Sequence, residues 1–421
     1  MTSARILALV FAFAACAIAF AQWPEIKKIG TGGEPYVATD GTGNVYLTCH
    51  QPCQLFASND WGGNWRNVQT FGDALGDLQV IAPRPSTAFV VYMFTSVNGL
   101  QVWNTFDAAK TMNRVGSVQG PYDREWLAMS QASTDLFLTY SDGYIGGPKS
   151  KGIFVQKSSD MGKTFQDRVR MDNEAEGSYA VDPYLTALDD GTLVGMWAAS
   201  KDYNLVDAYR TAVSRDGGKS WTDHQTMGTV RKDLGDAQER WMLGGICGSG
   251  KNVVVSYYMD YQAVTLEKLT NNALVVMYRV SKDGGKTFGS PKRVTALSEF
   301  SPSVKSVGEG VVYRQTMPWM AADPSGKIHL VYEDNRAGQG DINGKKYSKW
   351  HVRYAVMSDL DKGFTASERV SNDYVAERPP LDFICLAADA KNVYATWVEA
   401  PNAVGGWRFS GDLWVGRKEN K

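Results

Sequence analysis

The sequence predicts an all-β fold: a β-propeller of seven four-stranded blades, with six as the alternative, closed into a ring by the N-terminal strand. Three observations predict it. An octet, Ser-x-Asp-x-Gly-x-(Thr/Ser)-(Trp/Phe), recurs along the chain. Short apolar runs bounded by Gly, Asp, Asn and Pro fill the intervals, and long helical periodicity is missing. The composition suits strands, with 42 Gly, 13 Trp, 20 Tyr and 16 Phe.

The octet is read as a turn. It runs from Ser58 to Trp65 with Asn64 in the Thr/Ser place, then from Ser158 to Phe165, Ser214 to Trp221 and Ser281 to Phe288. Degenerate copies lie near Thr105–Met112 and Met357–Phe364. Ser and Asp side chains can bond backbone N–H groups in a bend, and Gly allows positive φ. Asp60, Asp160, Asp216 and Asp283 are therefore expected to be structural.

Inner-strand candidates come next. They are Pro35–Ala38, Leu78–Ile81, Glu125–Ala128, Pro183–Thr186, Arg240–Leu243, Pro318–Ala321 and Phe383–Leu386. Each opens a unit of about four strands, one blade of a propeller. The last unit is one strand short, and the spare segment Trp23–Ile29 is expected to complete it, which would leave fewer exposed sheet edges.

The first residues bear on compartment. Arg5 precedes an apolar run from Ile6 to Ala21 that ends in Ala19-Phe20-Ala21, an A-x-A pattern before Gln22. A membrane span needs about 20 apolar residues, so the run is short for one. Residues 1–21 are expected to be a signal peptide, and residues 22–421 a single domain that is secreted or periplasmic, has no membrane span and is monomeric. One of the 44 Lys and Arg lies in that leader and none of the 45 Asp and Glu, so the remainder has a net charge of −2. That balance speaks against a nucleic-acid partner, which would need a basic surface. Cys49 and Cys53 fall in a hairpin loop and are a disulfide candidate in an oxidising compartment. Cys247 and Cys385 are expected to be buried free thiols. No zinc spacing, phosphate loop or nucleophile elbow is present. No cofactor and no metal site is expected, although calcium could lie at acidic loops such as Asp334-Asn335 with Asp341.

The octets resemble the Asp boxes of the BNR-repeat propellers of the sialidase superfamily, over most of the chain beyond the leader. The resemblance implies that the octets join the third and fourth strands of each blade on one face. Ligands would then bind on the opposite face, where inner strands begin and second strands end. Residues expected there include Glu34, Asp77, Asp123, Arg124, Glu125, Asp182, Glu239, Arg240, Arg314, Glu377 and Arg378, with His50, Asp142, Glu333, Asp334 and Glu399. Tyr144, Tyr203, Tyr261, Tyr347 and Trp407 in the longer loops could stack on sugars. The first-choice ligand set is Arg124, Asp182, Arg240, Arg314 and Arg378. Asp123 is the acid, and Tyr313 with Glu239 a nucleophile pair. A sialidase also places an arginine two residues before the Pro of the first inner strand; here Gly33 stands before Pro35, which disfavours that chemistry. A carbohydrate ligand, bound or cleaved as by a glycoside hydrolase, is the leading expectation. A non-catalytic scaffold for a protein partner and a uronate lyase using His50 stay open.

Overall fold

The computed structural model describes residues 23–421 apart from 95–98, 131, 144–150, 176–177, 202–205, 230–244, 251–252, 267–268, 308–310, 378–383 and 406–409. Strand pairing follows one plan throughout. The second half of Glu25–Thr39 pairs antiparallel with Val45–His50, which pairs with Gln54–Ser58 and then Arg66–Thr70. Sheets opening with Ala74–Arg84, Tyr122–Met129 and Tyr179–Ala187 repeat the same four-strand order. Ile246–Ser249 opens the next, whose third strand pairs in parallel with Tyr313–Ala322, the first strand of its neighbour. The last sheet opens with Cys385–Ala388, continues through Asn392–Glu399 and Gly411–Glu419, and takes its fourth strand from the N-terminus.

These first strands touch one another in succession, and the last touches the first. The sheets are therefore the blades of a closed propeller. The expected closure is found, with pairs from Glu25↔Arg417 to Gly32↔Gly411. Trp23 anchors the seam: it is buried, donates from Nε1 to Glu368 at 3.0 Å, and meets Tyr354 edge-on at 5.3 Å. One expected inner strand cannot be placed among the described residues. Arg240–Leu243 lies outside the described residues, and the fifth blade's innermost described strand is Ile246–Ser249.

Period-two alternation explains why second strands read as unbroken apolar runs. In Thr87–Phe94, Phe89 and Val91 pack against Leu127, Leu136 and Leu138 of the following blade. Val90 and Tyr92 face the cluster containing Leu55 and Ala57 of the preceding one. Both faces are buried, so both must be apolar. Each fully buried side chain of this size contributes about 1.5–3 kcal/mol.

The octets are self-bonded turns. Ser58 Oγ donates to Asp60 Oδ1 at 2.7 Å and accepts from Gly62 N at 2.9 Å, while Asn64 N donates to Asp60 Oδ1 at 2.8 Å. The copies at Asp160, Asp216 and Asp283 make the same bonds. So does the degenerate copy at Thr105, through Thr105, Asp107, Ala109 and Thr111; in the copy at Met357–Phe364, where Met replaces Ser, Asp359 Oδ1 instead accepts from Asp361 N at 3.0 Å. Ala109 takes the place of Gly at φ 57°. The octets sit where second strands begin, as Val45↔Ser58 and Leu136↔Ser158 show, at the far end from the starts of the inner strands.

Cys49 and Cys53 are free thiols, contrary to the disulfide expectation. Spacing brings them near one another, but the side chains point to different acceptors. Cys49 Sγ donates to Pro52 O at 3.3 Å and Cys53 Sγ to Ala74 O at 3.7 Å. Cys247 and Cys385 are buried free thiols as expected.

Candidate functional site

Five inner strands begin with the same irregularity. Three residues on the inner strand span two on its partner at 33–36, 76–79, 123–126, 181–184 and 316–319. Within each bulge one non-glycine residue is left-handed: Glu34 at φ 45°, Asp77 at 52°, Arg124 at 56°, Asp182 at 49° and Met317 at 50°. Such a conformation costs on the order of 1 kcal/mol or more per residue, so its repetition at one level of the ring marks a built feature. Bulges re-aim side chains. Here the re-aimed side chains meet around the channel mouth.

Arg124 is the hub. Its Nε lies 3.2 Å from Asp182 Oδ1 and its Nη1 3.8 Å from Asp77 Oδ1, so it joins three blades. Glu34 holds His50, Oε2 to Nδ1, at 3.1 Å. Gly76 makes room for that imidazole, since a Cβ there would come within 3.1 Å of His50 Cε1. Burial opposes charge on His50, but the bond and charge of Glu34 outweigh it and raise the pKa.

The carboxyls divide into two states. Burial and the adjacent Asp77 push Asp123 up to about 8, against the pull of Arg124. Burial would raise Asp77 too, but the charge of Arg124 and hydrogen bonds from Glu34 and Asp123 bring it below its ordinary value. One carboxyl therefore keeps its proton at neutral pH while its partner is ionised, the division of labour that acid–base chemistry requires. Glu125 lies two residues beyond Asp123, 3 % exposed, with neither side-chain oxygen hydrogen-bonded. Burial and Asp77 raise it well above its usual range, so it too is held neutral.

The floor is aromatic. Two residues past the left-handed position of four bulges stand Tyr36, Trp126, Tyr184 and Trp319. Their rings contact one another, with Trp126 and Trp319 at 5.0 Å and Trp126 and Tyr184 at 5.2 Å between centroids. Behind them the channel keeps a cavity of about 240 Å³ lined by Val37, Val80, Ala82 and Ala321. The mouth is thus a cup with charged walls over rings set tilted and edge-on to one another, suited to the polar edges and apolar faces of a sugar.

The expected residues fare unevenly. Asp123, Arg124 and Asp182 are brought together as a group. Glu34, His50 and Asp77 join them, although the first-choice set omitted these three. Glu239, Arg240 and Arg378 lie outside the described residues, as do Tyr144, Tyr203 and Trp407. Arg314 begins the sixth inner strand, its N–H bonded to Asn335 Oδ1 at 2.9 Å.

Tyr313 is withdrawn from the cup. It is fully buried, donates to Asp334 Oδ2 at 3.1 Å and accepts from Arg336 at 3.1 Å. Burial and Asp334 raise its pKa well above the ordinary value, the opposite of an activated nucleophile. Asp334 also meets His351 Nε2 at 3.0 Å, and Asp341 Oδ1 accepts from Gly344 N at 2.8 Å. No group of three or more metal-ligating side chains occurs among the described residues. Nor is any described helix long and apolar enough to cross a membrane. A second buried pair lies within the sixth blade: Tyr374 donates to Glu333 Oε1 at 3.2 Å, and burial pushes Glu333 up to about 8.

No protein-family model matches the chain, and no curated protein matches it. Among solved structures, the chain is similar to a Penicillium chrysogenum α-L-arabinanase complexed with arabinobiose: 11% identity over 92% of this chain and 93% of that one, TM-score 0.46. A Fusarium graminearum α-L-arabinofuranosidase complexed with an iminosugar inhibitor gives 11%, the same coverage and 0.46. An ulvan lyase gives 10% over 88% of this chain and 93% of that one, with a TM-score of 0.48.

Proposed function

We propose that the chain is a secreted Asp-box propeller of seven blades, residues 22–421 after a leader of residues 1–21, that binds a glycan in this cup and hydrolyses it. The observation that carries the reading is the buried Asp123–Asp77 pair, hydrogen-bonded together beside Arg124 and over an aromatic floor, with its surroundings raising the pKa of Asp123 and lowering that of Asp77. Asp123 would give its proton to the leaving glycosidic oxygen. Asp77, hydrogen-bonded to Asp123, is too close to it to act from the opposite side of the sugar; it would hold that proton in place, and the water attacking the anomeric carbon would give up its proton to Asp182. Arg124 and Asp182 would fix hydroxyl groups, and Tyr36, Trp126, Tyr184 and Trp319 would hold the ring faces. Arg124 already spans two carboxylates, so it is poorly placed to clamp an acidic sugar; this weighs against sialidase chemistry beyond the missing arginine at Gly33.

A uronate lyase is the second reading, favoured by one observation, the His50–Glu34 pair at the mouth. A turnover panel of sialyllactose, linear arabinan, β-glucan and ulvan separates the readings. New reducing ends without ultraviolet absorbance support the hydrolase, and reducing ends with absorbance from unsaturated uronides support the lyase. Silence on all four overturns the hydrolase and leaves glycan or protein binding without turnover.

A further inference from the structure

Among the described residues the rim of the cup is uneven. At the first blade and at its link to the second the connections are tight. Cys49↔Gln54 is the last pair before the turn at 51–53, and only residues 71–73 separate Arg66–Thr70 from Ala74–Arg84. Across the ring the backbone rises. In the fifth blade Ala273 and Leu274 pair with Tyr313 and Arg314, at the level where the sixth inner strand begins. Four further strand pairs, from Ala263↔Asn272 to Leu266↔Leu269, continue beyond that level. At about 3.3 Å per residue they stand roughly 13 Å above it. The sixth blade adds a second hairpin beyond Asp334↔His351, with pairs from Gln339↔Ser348 to Ile342↔Lys345. The helix Leu297–Ser306 fills the connection between these two blades.

The reacting groups sit on the low side. Glu34 and His50 belong to the first blade, Asp77 to the second and Asp123 to the third, while the wall stands on the fifth and sixth. Leu75, 52% exposed, lies two residues before Asp77 on the open rim. Resting on the hydrolase reading, we infer that the cup takes the end of a linear polysaccharide. The terminal sugars abut the two hairpins, the bond is cut beside Asp123, and the remaining chain leaves over the first and second blades past Leu75. Cleavage is therefore from a chain end.

The test uses the full protein and whichever of arabinan, β-glucan or ulvan yields most reducing ends. Product sizes and solution viscosity are followed together. Chain-end cleavage gives one small product from the first time points, with viscosity falling only in proportion to mass released. A ladder of intermediate lengths with early collapse of viscosity overturns the inference and leaves hydrolysis standing; no turnover on any polymer overturns the hydrolase reading and this inference with it. A variant with residues 263–272 replaced by an Asn-Gly turn should gain internal cuts. Leu75→Ala should raise KM on the polymer while leaving KM on a disaccharide unchanged, and an equal effect on both removes Leu75 from the exit path.

Discussion

Replacing Asp123 by Asn removes an ionisable group without removing its bonds. The carboxyl accepts from Arg124 N at 2.9 Å and is hydrogen-bonded to Asp77; an amide can do both. Its pKa is about 8 in the fold against 3.8 for an ordinary aspartate. Because the folded value is the higher one, the carboxyl's contribution to stability is complete below about pH 4. It is lost as pH rises towards 8. At pH 7 the unfolded chain gains from ionisation over about three pH units at ~1.4 kcal/mol each, so the wild type forgoes on the order of 4 kcal/mol. An amide, which does not ionise in either state, would not forgo it. Urea unfolding of D123N should therefore show a gain of several kcal/mol at pH 7 that shrinks to nothing at pH 4. A variant less stable than wild type at pH 7 would refute the reasoning, because it would mean that Asp123 is ionised and paired with Arg124.

Other outcomes follow from the same structure. Glu333→Gln should stabilise the chain with the same sign, growing as pH rises from about 4.5 to 8, as read by thermal melts across that range. The octet carboxyls behave oppositely. Backbone N–H and hydroxyl donors hold Asp60, Asp160 and Asp216 down at about 2, so their contribution is present above pH 4 and lost as pH falls towards 2; circular dichroism should show acid unfolding in that window. Asp216→Ala should cost about 1–2 kcal/mol by denaturant titration, through lost bonds to Ser214, Lys219 and Ser220, with turnover unchanged. Alkylation of the unfolded, unreduced chain should label Cys49, Cys53, Cys247 and Cys385, and mass spectrometry showing a 49–53 disulfide would contradict the thiol geometry.

Local chemistry was legible in the sequence and cross-blade chemistry was not. The octets announce themselves because all their bonds fall within seven residues; even the copy at Thr105 keeps them, since Thr donates as Ser does. The closing strand at Trp23 was legible because the last unit lacked a fourth strand. The starts of the inner strands pointed to Asp123, Arg124 and Asp182. What could not be read was the bulge, because Glu34, Asp77 and Arg124 carry no mark of a left-handed backbone as Gly would. The repeat of a charged residue two before Tyr36, Trp126 and Tyr184 was the available signal. Tyr313 stands beside Arg314 at an inner-strand start and reads as half of a nucleophile pair, yet Arg336 and Phe300 of the helix cover it. Cys49 and Cys53 show the same limit, since spacing sets proximity but not direction.

The most direct test of the Asp123–Asp77 pair is reducing-end release by wild type, D123N and D77N over the polysaccharide panel, with folding checked by unfolding curves. Turnover by the wild type should decline as pH rises through about 8. Both variants should remain folded yet lose activity by about 10²-fold or more. Full activity in D123N, or a wild-type rate that keeps rising through pH 8, would contradict proton donation by Asp123.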